Sequence, residues 1–331
     1  MKRRARERGS RGAALAAALV AAPLAISWLR FRREIRAARA RVAEGSRVVR
    51  MPSGPVEYAE RGKGPPVLLV HGAGGGWDQG LDLGAPLVEQ GFRVIAPSRF
   101  GYLRTPLPAD ASAEAQADAH AGLLDALNVS RAAILGASAG APSAMQFALR
   151  HPDRCSALVL VVPAAYVPRP GGAPPMKTPR STRLLFDTAL RSDFLFWSAI
   201  RLARPVVIRS ILATPTQDVE RAGPAEKARV REMLDHILPV SARRVGLVND
   251  AAVTSSLPRY DLERIAAPTL VMSVRDDLFG TWDGAKYTAA HVPNARFVGY
   301  PTGGHVWVGH EKEGLAEIAA FLRGAMAPGS R

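Results

Sequence analysis

Residues 136–140 read Gly-Ala-Ser-Ala-Gly. A serine framed by small residues at this spacing is the pattern of a nucleophile lifted on a sharp strand-to-helix turn. In a chain rich in Ala, Gly and Ser, the same five residues also arise as an ordinary junction with an unreactive serine. The flanks narrow the choice. "RAAIL" at 131–135 reads as a buried strand, and a helix is expected from Ser138 to about Arg150. Gly136 and Gly140 leave room for strand and helix to approach. Pro142 falls in the helix's first turn, where its missing N–H would have had no partner. The free N–H groups of that helix end then point toward Ser138, where negative charge develops in acyl transfer.

A serine nucleophile needs a base within about 3 Å and a third group to orient that base. Of seven histidines, His305 sits in "YPTGGHVWVGH", in a Gly-rich loop after the last expected strand and before the final helix. His310 is closer to that helix, and His71 opens a loop that it is expected to brace. His120 and His151 fall inside helices, and His291 ends one. The acid is expected after "TLVMSV", where Arg275-Asp276-Asp277 offers two carboxylates. Asp277 is preferred and Asp276 is the alternative. "HGAGGG" at 71–76 follows the apolar strand "PPVLLV" and can turn backbone N–H groups toward a ligand. Its expected role is half of an oxyanion hole, with Ala73 N–H as one donor and Ala139 N–H as the other. No Lys-Ser/Thr follows it, so it is not a phosphate loop, and no HExxH or tight His/Cys cluster marks a metal site. No cofactor is expected.

These residues need a frame. Strands are expected at 48–60 (a pair around a Pro-Gly turn), 67–70, 92–97, 131–135, 157–162, 268–274 and 295–301. Short, wholly apolar strands separated by helices mean a mostly parallel α/β sheet covered on both faces. Residues 163–265 break that rhythm with helical stretches around 181–213 and 224–237, and read as an insertion over the sheet.

The formal net charge is +15, but residues 1–50 hold fourteen Lys or Arg against three acids. The remainder is near neutral and carries no basic-aromatic run, which excludes a nucleic-acid partner. One cysteine, Cys155, rules out an intrachain disulfide. Ala13–Leu29 is seventeen residues without charge, flanked by arginines. A helix of that length spans roughly 25 Å, just short of a hydrocarbon core. A single-pass membrane anchor is expected there, with Trp28 at the interface and arginines snorkelling. A cleaved signal segment, leaving a secreted or periplasmic chain, and a surface-lying helix are the alternatives. The expected organisation is a basic segment (1–12), an anchor (13–29), a helical stalk (30–46), a first core segment (47–162), a helical cap (163–265) and a second core segment (266–331).

"HGAGGG", "GASAG", "SVRDDLFG" (273–280) and "GYPTGGH" (299–305), in this order, resemble the α/β-hydrolase superfamily over nearly the whole body, and more narrowly membrane-anchored bacterial hydrolases. The resemblance implies Ser138 as nucleophile, Asp277 as acid, His305 as base and 163–265 as the cap. Serine in place of aspartate at 138 argues against epoxide-hydrolase and dehalogenase chemistry, and Ala73 with Ala139 against the perhydrolase type. The expected reaction is hydrolysis of a small, lipophilic carboxylic ester through an acyl-enzyme. Its first alternative is a carbon–carbon bond hydrolase with the same triad, for which Arg99 and Arg104 are candidate carboxylate clamps. A catalytically silent binding protein on this fold is the alternative of another class.

Overall fold

The structure, a computed structural model, describes residues 2–168 and 190–327, with side chains described from residue 22 onward. Its centre is one eight-stranded sheet in the order β1-β2-β4-β3-β5-β6-β7-β8. The strands are β1 (Arg47–Met51), β2 (Gly54–Arg61), β3 (Pro66–Val70), β4 (Arg93–Pro97), β5 (Ala132–Ala137), β6 (Cys155–Val161), β7 (Thr269–Val274) and β8 (Arg296–Tyr300). β1 and β2 form a hairpin, β2 runs antiparallel to β4, and every pair from β4 to β8 is parallel. The sheet is therefore mixed, with its antiparallel part at one edge.

The apolar strands are buried on both faces, and their side chains alternate between two cores. Val67, Leu69, Leu135, Val159 and Met272 face one side, under α2 (Trp77–Glu89) and the C-terminal helix Glu311–Ala325. Leu68, Val70, Ile134, Leu158 and Val271 face the other, under α3 (Ala113–Ala126), α4 (Ala141–Arg150) and the helix Thr281–His291. Between β6 and β7 the described residues contain no strand. They form five helices, α5 (Asp193–Leu202), α6 (Arg204–Ile211), α7 (Thr216–Arg221), α8 (Pro224–His236) and α9 (Arg244–Ser255). This is the helical cap. The start of the helical stretch expected from 181 lies outside the described residues. Thr281–His291 and Glu311–Ala325 are α10 and α11. Helices α2 and α9 carry weak sequence signals, since a Gly-rich loop leads into one and Asp, Thr and Ser interrupt the other.

The N-terminal segment corrects the membrane expectation. Among the described residues no helix is long and apolar enough to cross a membrane. The stretch 13–29, expected to be a transmembrane anchor, lies inside one helix, α1 (Lys2–Ala43), that begins and ends in arginine-rich sequence. Alanine is only weakly apolar, and the uncharged run falls short of a hydrocarbon core. The single-pass localisation, the membrane as partner and the likeness to membrane-anchored hydrolases fall with it. Trp28 packs on Phe31 and Phe194. Phe31, Ile35 and Val42 are buried in the folded body, so the second half of α1 is part of it.

Ionic contacts reinforce that docking. Glu34 accepts hydrogen bonds from Trp197 Nε1 at 2.7 Å and from Arg201, both on α5, and Arg39 pairs with Asp193 at 3.1 Å. Burial would raise the Glu34 carboxyl, but the Arg30, Arg201 and Trp197 donors outweigh it and hold its pKa at about 2. A depressed carboxylate pKa stabilises the folded state fully above its ordinary value of 4.5 and loses that contribution as pH falls through about 2. The α1–α5 contact is thus expected to persist at pH 5 and to weaken between about pH 4 and 2. Tryptophan fluorescence recorded directly against pH reads it, since Trp197 is one of the donors. A transition complete above about pH 5 would contradict the assignment.

Candidate active site

Ser138 sits where β5 ends, on a single turn (Ser138–Gly140) that leads into α4. Its φ is +50°, in the left-handed region that a residue with a Cβ enters only at a cost. The surroundings hold it there, and Ala164 N–H donates to its carbonyl at 3.0 Å. A Cβ on Gly140 would lie 2.6 Å from the carbonyl oxygens of Val70 and His71, so only glycine lets α4 approach β3 this closely. α4 starts directly after the Ser138–Gly140 turn, with Pro142 in its own first turn.

His305 Nε2 lies 2.8 Å from Ser138 Oγ, and His305 Nδ1 lies 2.7 Å from Asp277 Oδ2. The carboxylate can only accept, so Nδ1 carries the ring proton and Nε2 turns its lone pair to the serine hydroxyl. Asp277 is fixed by two more donors, Phe279 N–H at 2.9 Å and the Thr281 hydroxyl, which also contacts Ser273 Oγ at 3.0 Å. Burial pushes the Asp277 carboxyl up, but the His305 ring, Thr281 and Phe279 outweigh burial and leave it below the ordinary carboxylate value. The ring of Phe279 meets His305 edge-on at 4.8 Å. Asp276 points elsewhere. It accepts from Gly304 N–H at 2.8 Å and Gly303 N–H at 3.4 Å, bracing the histidine loop from outside. It also faces Asp218 of the cap, whose carboxyl is raised by burial and by the Asp276 carboxylate.

The loop 71–76 abuts the elbow, since a Cβ on Gly72 would stand 3.1 Å from Ser138 Cβ. Ala73 is its exposed residue, while its neighbours are buried. Gly72 N–H donates to Gln79 Oε1 at 3.1 Å and Gly74 N–H to Tyr102 Oη at 3.2 Å. His71 is committed to the loop. Its Nδ1–H donates to Gly72 O at 2.7 Å and its Nε2 accepts from Arg99 N–H at 3.0 Å. Burial, reinforced by Arg99, holds its pKa well below the ordinary histidine value, so it stays neutral. His310 stacks on Tyr300 at 4.2 Å, away from Ser138's hydrogen bonds. His120 is buried beside Ser143.

Neither candidate clamp is free. Arg99 is buried and forks onto both oxygens of Asp250 in α9, at 2.7 and 2.6 Å, and its Nε–H donates to His71 O at 2.9 Å. Arg104 is held by Glu57 at 2.7 Å and by Ser46 Oγ at 2.7 Å. Sequence reading misses Asp250 and Thr281, and it misses Ala213 in the cap. The Ala213 carbonyl accepts from Leu278 N–H at 3.0 Å and His305 N–H at 3.3 Å, joining the loops that carry Asp277 and His305. Only Thr281, four residues past Asp277, has any sequence cue. Removing one partner of a buried ion pair strands a charge, so Asp250→Ala is expected to destabilise the fold by about 3–5 kcal/mol. Urea unfolding measures this, and a loss below about 1 kcal/mol would show that water reaches Arg99.

An elbow serine, a histidine and a buried aspartate at the carboxyl edge of a mixed α/β sheet under a helical cap define a Ser-His-Asp hydrolase. The chain matches the alpha/beta hydrolase fold family over residues 65–308 and belongs to that family. It is 31% identical over 278 residues to a 2-hydroxy-6-oxononadienedioate/2-hydroxy-6-oxononatrienedioate hydrolase of Paraburkholderia xenovorans (strain LB400), covering 80% of this chain and 90% of that protein. It is 28% identical over 265 residues to a 2-hydroxy-6-oxo-6-phenylhexa-2,4-dienoate hydrolase of Comamonas testosteroni, covering 78% and 86%. Among solved structures, an alpha/beta hydrolase fold protein from Nakamurella multipartita superposes with a TM-score of 0.64 at 29% identity, over 85% of this chain and 100% of that one.

Proposed function

We propose that this enzyme cleaves the carbon–carbon bond beside a ketone in a 2-hydroxy-6-oxo-dienoic acid, with Ser138 as nucleophile, His305 as base and Asp277 as its orienting acid. The observation that carries this reading is the likeness to carbon–carbon bond hydrolases along nearly their whole length, joined to an assembled triad. It displaces the simple ester as the first reading. In the keto form of such an acid the bond to be broken joins the 6-carbonyl to a carbon whose electron pair can delocalise into the remaining enone. His305 takes the Ser138 proton as Oγ attacks the carbonyl, and Asp277 stabilises the imidazolium. Ala73 and Ala139 N–H hold the oxyanion, each donor supplying roughly 3 kcal/mol. Collapse breaks the carbon–carbon bond, and the proton on His305 passes to the released carbon. Water, deprotonated by His305, then hydrolyses the acyl-enzyme to a second carboxylic acid.

Ester hydrolysis is the second reading, and one observation favours it. Arg99 and Arg104 are both neutralised by carboxylates, so neither presents a free cation for a substrate carboxylate. In the cap stretch 192–200, Phe196, Trp197 and Ile200 pack into the core, with the Trp197 ring against Phe31 of α1. Paired assays separate the readings. The purified chain is given a phenyl-substituted 2-hydroxy-6-oxo-dienoate, followed by loss of the dienolate absorbance, and a series of p-nitrophenyl esters. A kcat/KM for the dienoate at least about 100-fold above the best ester supports carbon–carbon cleavage. The reverse ratio overturns it.

A further inference from the structure

The chain's N-terminal helix reaches the oxyanion loop through a buried relay of charges. Asp78 opens α2 directly after the loop and is 4% exposed. Arg243, at the entrance to α9 in the cap, is fully buried and grips that carboxylate with both arms, Nη2 to Oδ2 at 2.7 Å and Nη1 to Oδ1 at 3.1 Å. The same Nη1 donates to the Gly75 carbonyl at 2.6 Å, two residues from Ala73. The seat is tight, since a Cβ on Gly76 would lie 2.9 Å from Arg243 Nη1. Arg41, in the last turn of α1, donates to Asp78 Oδ2 from its Nη1, and its Nη2 donates to the cap carbonyl of Leu238 at 2.7 Å. Arg243 Nη2 and Arg41 Nη2 also share the His236 carbonyl, at 2.9 and 3.2 Å.

We infer that Arg41 of α1 is a positioning residue for catalysis: through Asp78 and Arg243 it sets the Gly75 carbonyl and, with it, the direction of the Ala73 N–H. The inference rests on the serine-hydrolase reading of the site. Burial alone would raise the Asp78 carboxyl, yet the two arginines hold its pKa at about 2, so it stays ionised and keeps both the Arg243 fork and the single Arg41 contact. An oxyanion donor works only when it is aimed before the charge forms, and a displacement near 1 Å costs roughly 100-fold in rate. The core already holds α1 through Phe31 and Ile35, so the Arg41 bridge between Asp78 and the cap carbonyls is placed to aim the loop more than to attach the helix.

The test uses the full chain, with Arg41→Ala, Arg41→Lys and, as a control on the remote α1–cap contact, Glu34→Gln. Three quantities are read: the rate of Ser138 labelling by a fluorophosphonate, the affinity for a trifluoromethyl ketone, and kcat with KM on the best substrate of the paired assays. Arg41→Ala is expected to slow labelling and lower kcat about 10-fold, weaken the ketone in parallel and leave KM within about twofold. Arg41→Lys, which keeps the charge and loses the guanidinium's second arm to the cap carbonyls, should recover part of the loss. Glu34→Gln should lower the melting temperature and leave the labelling rate within about twofold of wild type. If Arg41→Ala labels as fast as the wild type, or if Glu34→Gln slows labelling as much, the relay is only a staple and the inference is overturned. Should Arg41→Ala fail to fold, the Arg41→Lys and Glu34→Gln pair decides by the same criterion. A wild-type chain that is labelled but ignores the dienoate defeats the carbon–carbon reading alone. One that is not labelled defeats the serine-hydrolase reading and this inference together.

Discussion

Ser138→Ala is expected to lower kcat by roughly 10⁶-fold while the chain folds and binds substrate as before. The serine Oγ lies 2.8 Å from His305 Nε2, and in the proposed mechanism it forms the acyl-enzyme. The left-handed backbone at position 138 is as accessible to alanine as to serine, so the melting temperature should move by no more than about a degree or two. Burst-phase kinetics on an activated ester and fluorophosphonate labelling give the readout, with circular dichroism as the folding control. Turnover within about 100-fold of wild type in the folded variant would mean that water, activated directly by His305, attacks the substrate.

Asp277→Asn is the second large effect, about 10⁴-fold in kcat. The amide would offer Nδ2–H to His305 Nδ1 and favour the wrong tautomer, turning an N–H toward Ser138 in place of a lone pair. Asp276→Asn is expected to stay within about tenfold, because its amide oxygen can still accept the shorter bond, from Gly304 N–H at 2.8 Å, and only the long Gly303 N–H contact at 3.4 Å is lost. Measuring both variants on one substrate isolates the acid. A dead Asp276→Asn beside an active Asp277→Asn would reverse the assignment and remove the geometry on which the mechanism is built.

Much of the frame is readable in the chain because its signals are local. Runs such as "VLLV" and "ALVLVV" are apolar on both faces and so belong in the interior of a parallel sheet. The break in their rhythm after 162 marks the helical cap. Gly136, Gly140 and Pro142 are demands of one turn, met within seven residues. Residues 13–29 show where local reading goes astray. The uncharged run has the look of an anchor, but it is alanine-rich and continuous with a helix whose next turns carry Phe31 and Ile35 into the core. That burial depends on cap helix α5, which lies far along the chain at Asp193–Leu202, and no periodicity within the run could report it.

The same distinction runs through the site. Residue types, chain order and placement at strand ends follow from the sequence, because turn chemistry and strand patterning act over a few residues. Which of two adjacent aspartates meets His305 is decided by the path of one loop, pinned by Thr281 and by the Ala213 carbonyl of the cap. That Arg99 and Arg104 are consumed by Asp250 and Glu57, 151 and 47 positions away, is likewise a tertiary fact. So is the path from Arg41 to Gly75. Ion pairs between distant segments form only when packing has excluded water and set both side chains in reach, so they are properties of the folded chain and not of any stretch of it.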